Sequence, residues 1–191
     1  MQYLNKLITV LATLVGVTLL LVLGAFSGLY DVGADRPHTA VVHTLLTVLR
    51  DRSIEHRAAG IAVPKLDDPA RLREGAEHYR AMCVDCHLAP GITVSEIRAG
   101  LMPQPPNLAQ EPIDPRTAFW VIKHGIKASG MPAWGQTHDD EKIWDIVAFV
   151  QQLPHMTPDD YRAITALAET AEHEDDKGAP GHDHEHAHAH D

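Results

Sequence analysis

The feature that most restricts this chain is the run Cys83-Val84-Asp85-Cys86-His87. Its two thiols stand three positions apart, within one turn if the segment is helical, and an imidazole follows directly. These are the only cysteines in the sequence, so any sulfur chemistry must use this pair. Such a cluster can attach a cofactor, act as a redox dithiol, bind structural zinc or form a disulfide.

The surrounding sequence separates these uses. A thioredoxin-like dithiol needs a βαβ setting, which the flanking pattern lacks. A structural zinc site needs about four Cys or His ligands at close spacing, and no second Cys-x-x-Cys exists. A disulfide here would close too small a loop to stabilise much. Cys-x-x-Cys-His is the signature of c-type haem attachment, in which each thiol binds one porphyrin vinyl group and the histidine ligates iron.

Composition favours helices over sheets. Aromatic residues make up 5% of the 191 residues, and few β-branched runs alternate with polar residues, which argues against a sandwich or barrel. The formal charge is −10, of which −7 belongs to residues 169–191. The remainder is nearly balanced, and nothing in it is basic enough to predict nucleic-acid binding.

Residues 1–30 predict a transmembrane anchor or a signal peptide. The stretch from Leu7 to Tyr30 contains no charged residue. As a helix it would extend about 36 Å, enough to cross a hydrocarbon core of about 30 Å. Ala25-Phe26-Ser27 is an acceptable cleavage site, but the apolar run is longer than the usual signal-peptide core and favours an uncleaved anchor.

Residues 31–67 predict an amphipathic helix and a linker. Apolar side chains recur with helical spacing at Val41, Val42, Leu45, Leu46, Val48 and Leu49. We expect this helix to pack on its own domain or lie near the lipid surface, with docking to a membrane partner as the alternative. Gly60 to Asp67 predicts the linker.

Residues 68–155 predict a helical domain around the Cys-x-x-Cys-His run. Asp68-Pro69 and Asp114-Pro115 are helix starts, and a third helix begins near Thr137 and ends before Pro154. Gly75 predicts a close helix contact. Prolines 103, 105, 106 and 112 exclude a helix from 101 to 114, and such a loop suits wrapping a flat cofactor.

Met131 stands out because Gly130 and Pro132 place it in a non-helical loop, whereas a core methionine normally lies on an apolar stripe. A further helix is predicted over residues 156–170. Residues 171–191 show no apolar periodicity and predict a disordered acidic tail.

Together these residues resemble a membrane-anchored bacterial class I monohaem cytochrome c, from about Asp68 to Leu153. The resemblance implies an all-α cytochrome c fold, with three to four helices around one covalent haem c, after an N-terminal transmembrane helix. It also implies that Cys83 and Cys86 form the thioethers.

By the same resemblance His87 and Met131 are the axial iron ligands, and the Pro90 carbonyl orients the proximal imidazole. Met102 and His124 are the competing distal ligands, whereas Met82 adjoins the motif and cannot reach the opposite haem face. With Met131 bound, iron is six-coordinate. This coordination favours electron transfer over oxygen chemistry and implies no catalytic residue.

The leading hypothesis is therefore an electron carrier, not an enzyme, that exchanges electrons with redox proteins in or on the membrane. Because bacterial c-type haem is attached outside the cytoplasmic membrane, the resemblance implies a single-pass inner-membrane protein with a periplasmic haem domain. The alternatives are a haem-bearing accessory subunit of a respiratory oxidase or dehydrogenase, and a copper-handling protein that uses its tail.

The tail carries five histidines that alternate with Asp, Glu and Ala: His182, His184, His186, His188 and His190. Imidazoles and carboxylates on a flexible chain suit divalent copper, nickel or zinc. The alternative is a solvated tail that has no metal-binding role.

Overall fold

The computed structural model describes residues 2–175, and these residues form helices without any β-strand. The expected all-α fold is therefore confirmed. The described residues divide into two compact units, which meet in sequence between Pro37 and His38. The five tail histidines lie outside the described residues, so the expected metal binding there stays a prediction.

The first unit contains one long helix, α1, from Gln2 to Phe26. Its most apolar window has a mean hydropathy of 2.6 and no buried residue. Three threonine hydroxyls donate to carbonyls four residues earlier, so these polar groups are satisfied within the helix. By length and composition α1 can cross a membrane, and a signal sequence would meet the same criteria.

The second unit contains the remaining helices. They are α2 (Ala40–Ala58), α3 (Pro69–Met82), α4 (Val84–His87), α5 (Glu96–Ala99), α6 (Pro115–His124), α7 (Asp140–Gln152) and α8 (Pro158–Asp175). Two short 3-10 turns cover Trp134–Gln136 and Leu153–His155. The last helix extends to Asp175, beyond the predicted boundary at residue 170.

The expected helix ends are confirmed by hydrogen bonds. The Asp68 carboxylate accepts from the Ala70 N–H, and the Asp114 carboxylate accepts from two N–H groups of α6. The Asp139 carboxylate caps α7 by accepting from the Lys142 N–H. Gly125 ends α6 with a φ of 65°, a left-handed conformation that suits glycine.

Helices α3 and α7 pack closely at Gly75. A Cβ atom on this residue would lie 2.0 Å from the Asp145 carbonyl oxygen and 2.9 Å from the Phe149 Cβ. Arg71, one turn earlier on α3, forms ion pairs with Asp145 and Glu141 of α7. The expected packing role of Gly75 is thus confirmed.

The core lies between α3, α7 and α8. Its fully buried side chains are Tyr79, Ile143, Ile146, Val147, Phe149 and Leu153. The Tyr79 ring packs 5.4 Å from the Phe149 ring, measured between centroids. On the other side of α7, Trp144 stacks on Phe119 of α6 at 4.1 Å. The polar end of α2 joins this unit through buried Ile54 and Ala58.

The substitution Gly75→Ala should destabilise the fold, because the added methyl group must displace the α7 backbone. Overpacking of this kind exceeds the gain in helix propensity, and we expect a net loss of about 2 kcal/mol in the free energy of unfolding. Chemical denaturation measures it. Gly60→Ala is the control, since nothing lies within 4 Å of that Cβ position. Equal denaturation midpoints for the two variants would contradict the prediction.

Candidate functional site

The Cys-x-x-Cys-His run forms a single tight turn. Cys83 ends α3, and its carbonyl accepts from the Cys86 N–H at 3.1 Å and the His87 N–H at 2.8 Å. The Cys83 side chain is buried in the main apolar cluster, whereas Cys86 is half-buried. Both thiols and the imidazole are therefore presented by one short piece of helical backbone.

Tyr79 holds the chain immediately after this turn. Its hydroxyl donates to the Leu88 carbonyl oxygen at 2.6 Å, and both residues are buried. Leu88 has a φ of 60°, so the helix stops there and the chain reverses through a turn that the Ile92 N–H closes onto the Ala89 carbonyl. The Tyr79 side chain, which fills the core, thus also fixes the position of the chain directly after His87, the last residue of α4.

The prediction that the Pro90 carbonyl orients the proximal imidazole is wrong. The Nδ1 atom of His87 lies 3.1 Å from the Pro106 carbonyl oxygen, not the Pro90 carbonyl. The Leu108 N–H donates to the His87 carbonyl at 3.1 Å, which lays residues 106–108 against the histidine. Pro90 instead occupies the turn after α4, and the adjoining Gly91 packs near Pro158.

This hydrogen bond defines the state of the imidazole. A carbonyl oxygen can only accept, so Nδ1 carries a proton, and Nε2 keeps its lone pair when the ring is neutral. Burial lowers the pKa of His87, while the Pro106 hydrogen bond partly opposes that shift. A neutral ring with Nε2 free is the form that ligates a metal.

Arg98 supports the same loop, and sequence reasoning missed it. Its guanidinium donates to the Gln104 side-chain oxygen at 2.7 Å and to the Pro105 carbonyl oxygen at 2.9 Å. Its Nε atom is buried and has no hydrogen-bond partner within the described part of the chain. No motif marks this residue, because its role depends on contacts with a neighbouring irregular loop.

Met131 lies in the expected loop before the Trp134–Gln136 turn. Its carbonyl accepts from the Ile126 N–H, and its N–H donates to the Ser129 hydroxyl, both at 3.1 Å. Gly125 permits this fold, because a Cβ there would lie 2.8 Å from the Met131 carbonyl oxygen. The half-buried Met131 packs against the same apolar cluster that contains Cys83.

The two competing distal ligands are placed differently. His124 is exposed at the end of α6, where its ring lies 5.0 Å from the Trp120 ring. Met102 is 38% exposed in the proline-rich loop. Of these three candidate ligands, Met131 alone packs against the apolar cluster that contains Cys83 in the described part of the chain.

The thiols are in an environment suited to thioethers. Burial raises the pKa of Cys83 to about 12, and burial followed by the charge of Asp85 raises the pKa of Cys86. Both therefore favour the neutral thiol at neutral pH, and conversion to uncharged thioethers would place no new charge in the core. Two thiols, an imidazole with Nε2 free and a loop thioether together fit a covalent haem.

No cluster of three or more His, Cys, Asp or Glu residues suited to a metal ion occurs among residues 2–175. The described chemistry therefore centres on the cysteine pair, His87 and the loop that carries Met131.

Comparison with known proteins supports this interpretation. Residues 70–150, less than half of the chain, match the family model described as Cytochrome C oxidase, cbb3-type, subunit III. No curated protein and no solved structure matches the chain significantly. The matched segment includes the whole Cys-x-x-Cys-His turn, the proline-rich loop and the Met131 loop. Residues 70–150 therefore form a c-type cytochrome domain.

Proposed function

We propose that this protein is a one-electron carrier held in a bacterial inner membrane by α1, with its cytochrome c domain on the periplasmic side. The observation that carries the proposal is the contact at 3.1 Å between Nδ1 of His87 and the Pro106 carbonyl oxygen, which leaves Nε2 of the neutral ring available to a metal. Haem iron, when bound, would supply a one-electron couple. Cys83 and Cys86 would hold the ring covalently, and His87 and Met131 would bind the iron.

The chain's own residues then determine the properties of the site. His87 is oriented by a hydrogen bond that keeps its ring from rotating and increases its basicity. A thioether from Met131 would raise the reduction potential relative to a second imidazole. With His87 and Met131 both holding the iron, the site would leave no position for a substrate, and an electron carrier needs none.

The ligand assignment is tested by Met131→Ala in protein made by cells that mature c-type cytochromes. The parent should show covalent haem, the weak far-red absorption of an iron–thioether bond when oxidised, and no carbon monoxide binding when reduced. The variant should lose the far-red band, bind carbon monoxide and have a lower reduction potential. Met102→Ala is the matched control and should behave as the parent. Colourless parent protein would overturn the proposal, and a Met131→Ala spectrum identical to the parent would overturn the distal assignment.

Arg98 should affect His87 through the loop between them. Arg98→Lys keeps the charge but loses the planar fork that donates to Gln104 and Pro105. A weakened bond from Nδ1 makes the imidazole a poorer donor to iron, so the reduction potential should rise. Loss of about 1 kcal/mol in this bond corresponds to roughly fivefold faster exchange of the Nδ1 proton, measurable by NMR in the reduced protein.

The substitution Arg73→Lys, at an exposed position of α3, is the control for this experiment and should change neither the reduction potential nor the exchange rate. If Arg98→Lys also leaves both unchanged, the loop holds His87 without help from the guanidinium.

A second function is favoured by the matching family, whose description is that of an oxidase subunit. In that case the chain would be a haem-bearing accessory subunit fixed in a larger respiratory complex. Purification from native membranes in mild detergent distinguishes the two. A free carrier should migrate alone with its haem, whereas a subunit should co-purify with partners at constant stoichiometry.

A further inference from the structure

The first half of α2 presents an apolar surface that its own domain does not cover. Large aliphatic side chains there are between 47% and 79% exposed. They are Val41, Leu45, Leu46, Val48 and Leu49. We call these five residues the α2 stripe. Contiguous apolar surfaces of this kind mark sites of interaction rather than ordinary solvent-exposed surface.

The helix geometry explains why the domain cannot cover the stripe. Ile54 and Ala58, the buried residues of α2, each lie nine positions after a stripe residue, Leu45 and Leu49 respectively. Nine residues are about 2.5 helical turns, so each pair points to opposite sides of the helix. The side of α2 that packs on the domain therefore faces away from the stripe. Of the positions expected for these apolar residues, this leaves the lipid surface or a membrane partner.

The charge pattern indicates the nature of the covering surface. Residues 40–49 contain no Asp, Glu, Lys or Arg, and charge begins only at Arg50. Arg50 pairs with Asp51, and Arg52 pairs with Glu55. The stripe thus offers no ion pair with which to recognise a particular protein, and its available interaction is the burial of apolar area.

Chain connectivity then favours lipid. Residues 27–39 connect the end of α1 to the start of α2 and reach at most about 45 Å when fully extended. If α1 is anchored, this tether keeps α2 close to the surface of the same membrane. An apolar helix face near a bilayer is stabilised by entering the boundary between headgroups and acyl chains.

We propose that α2 is an interfacial helix, whose stripe lies in the headgroup–acyl boundary of the membrane in which α1 is anchored. The inference rests on the anchoring role given to α1 above. Such a contact would restrict rotation of the cytochrome domain about its tether. It would also limit the faces through which the domain meets redox partners.

The test uses the full haem-loaded chain in liposomes, with the photo-reactive residue p-benzoyl-phenylalanine in place of Leu45. Mass spectrometry of irradiated samples should show lipid adducts. The matched control places the same residue at His43, which is exposed but lies on nearly the opposite side of the same turn. Lipid adducts should be severalfold more abundant at position 45 than at position 43. The haem spectrum of each variant verifies that the domain is folded.

Three other outcomes would overturn the proposal. Adducts to a second copy of the chain would indicate a dimer interface, and equally low lipid adducts at both positions would leave the stripe outside the lipid. In both cases resistance to an alkaline carbonate wash would show that the α1 anchor itself still holds. Release of the protein by that wash would instead overturn the anchor, and the interfacial helix with it.

Discussion

The close contact between α3 and α7 at Gly75 is the constraint on which the haem site depends. Gly75, Tyr79 and Cys83 are spaced four residues apart, so they share one side of the α3 helix. Contact at Gly75 presses this side against α7 and buries the Tyr79 ring beside Phe149. The Cys83 thiol is then directed into the apolar cluster, because it follows on the same side one turn later.

Backbone carbonyls complete the site. The Leu88 carbonyl accepts from Tyr79, the His87 carbonyl from Leu108, and the Pro106 carbonyl from the imidazole. Proline has no N–H, so the proline-rich loop presents acceptors without competing donors. This explains why a loop that cannot form a helix is well suited to orient an imidazole and to receive the Arg98 guanidinium.

The two halves of α2 lie in different environments. Its second half is charged and yet supplies the two buried residues that join it to the domain, Ile54 and Ala58. Its first half has no charge and is exposed. Burial is therefore inverted relative to the usual amphipathic helix, in which the most apolar part meets the core.

Much of the structure of this protein follows from local sequence. The thiols and imidazole of the Cys-x-x-Cys-His run lie within one turn, the caps at Asp68 and Asp114 act on the next two or three residues, and the apolar span of α1 depends on composition. Gly75 was recognisable because a glycine inside a helix lowers the stability of that helix, a cost that close packing against a neighbour can offset. Only the tertiary structure decided that Pro106 rather than Pro90 accepts from His87, that Arg98 supports this loop, and that the α2 stripe stays uncovered. Each of these depends on which distant segments meet, and periodicity along one segment carries no information about the path of another.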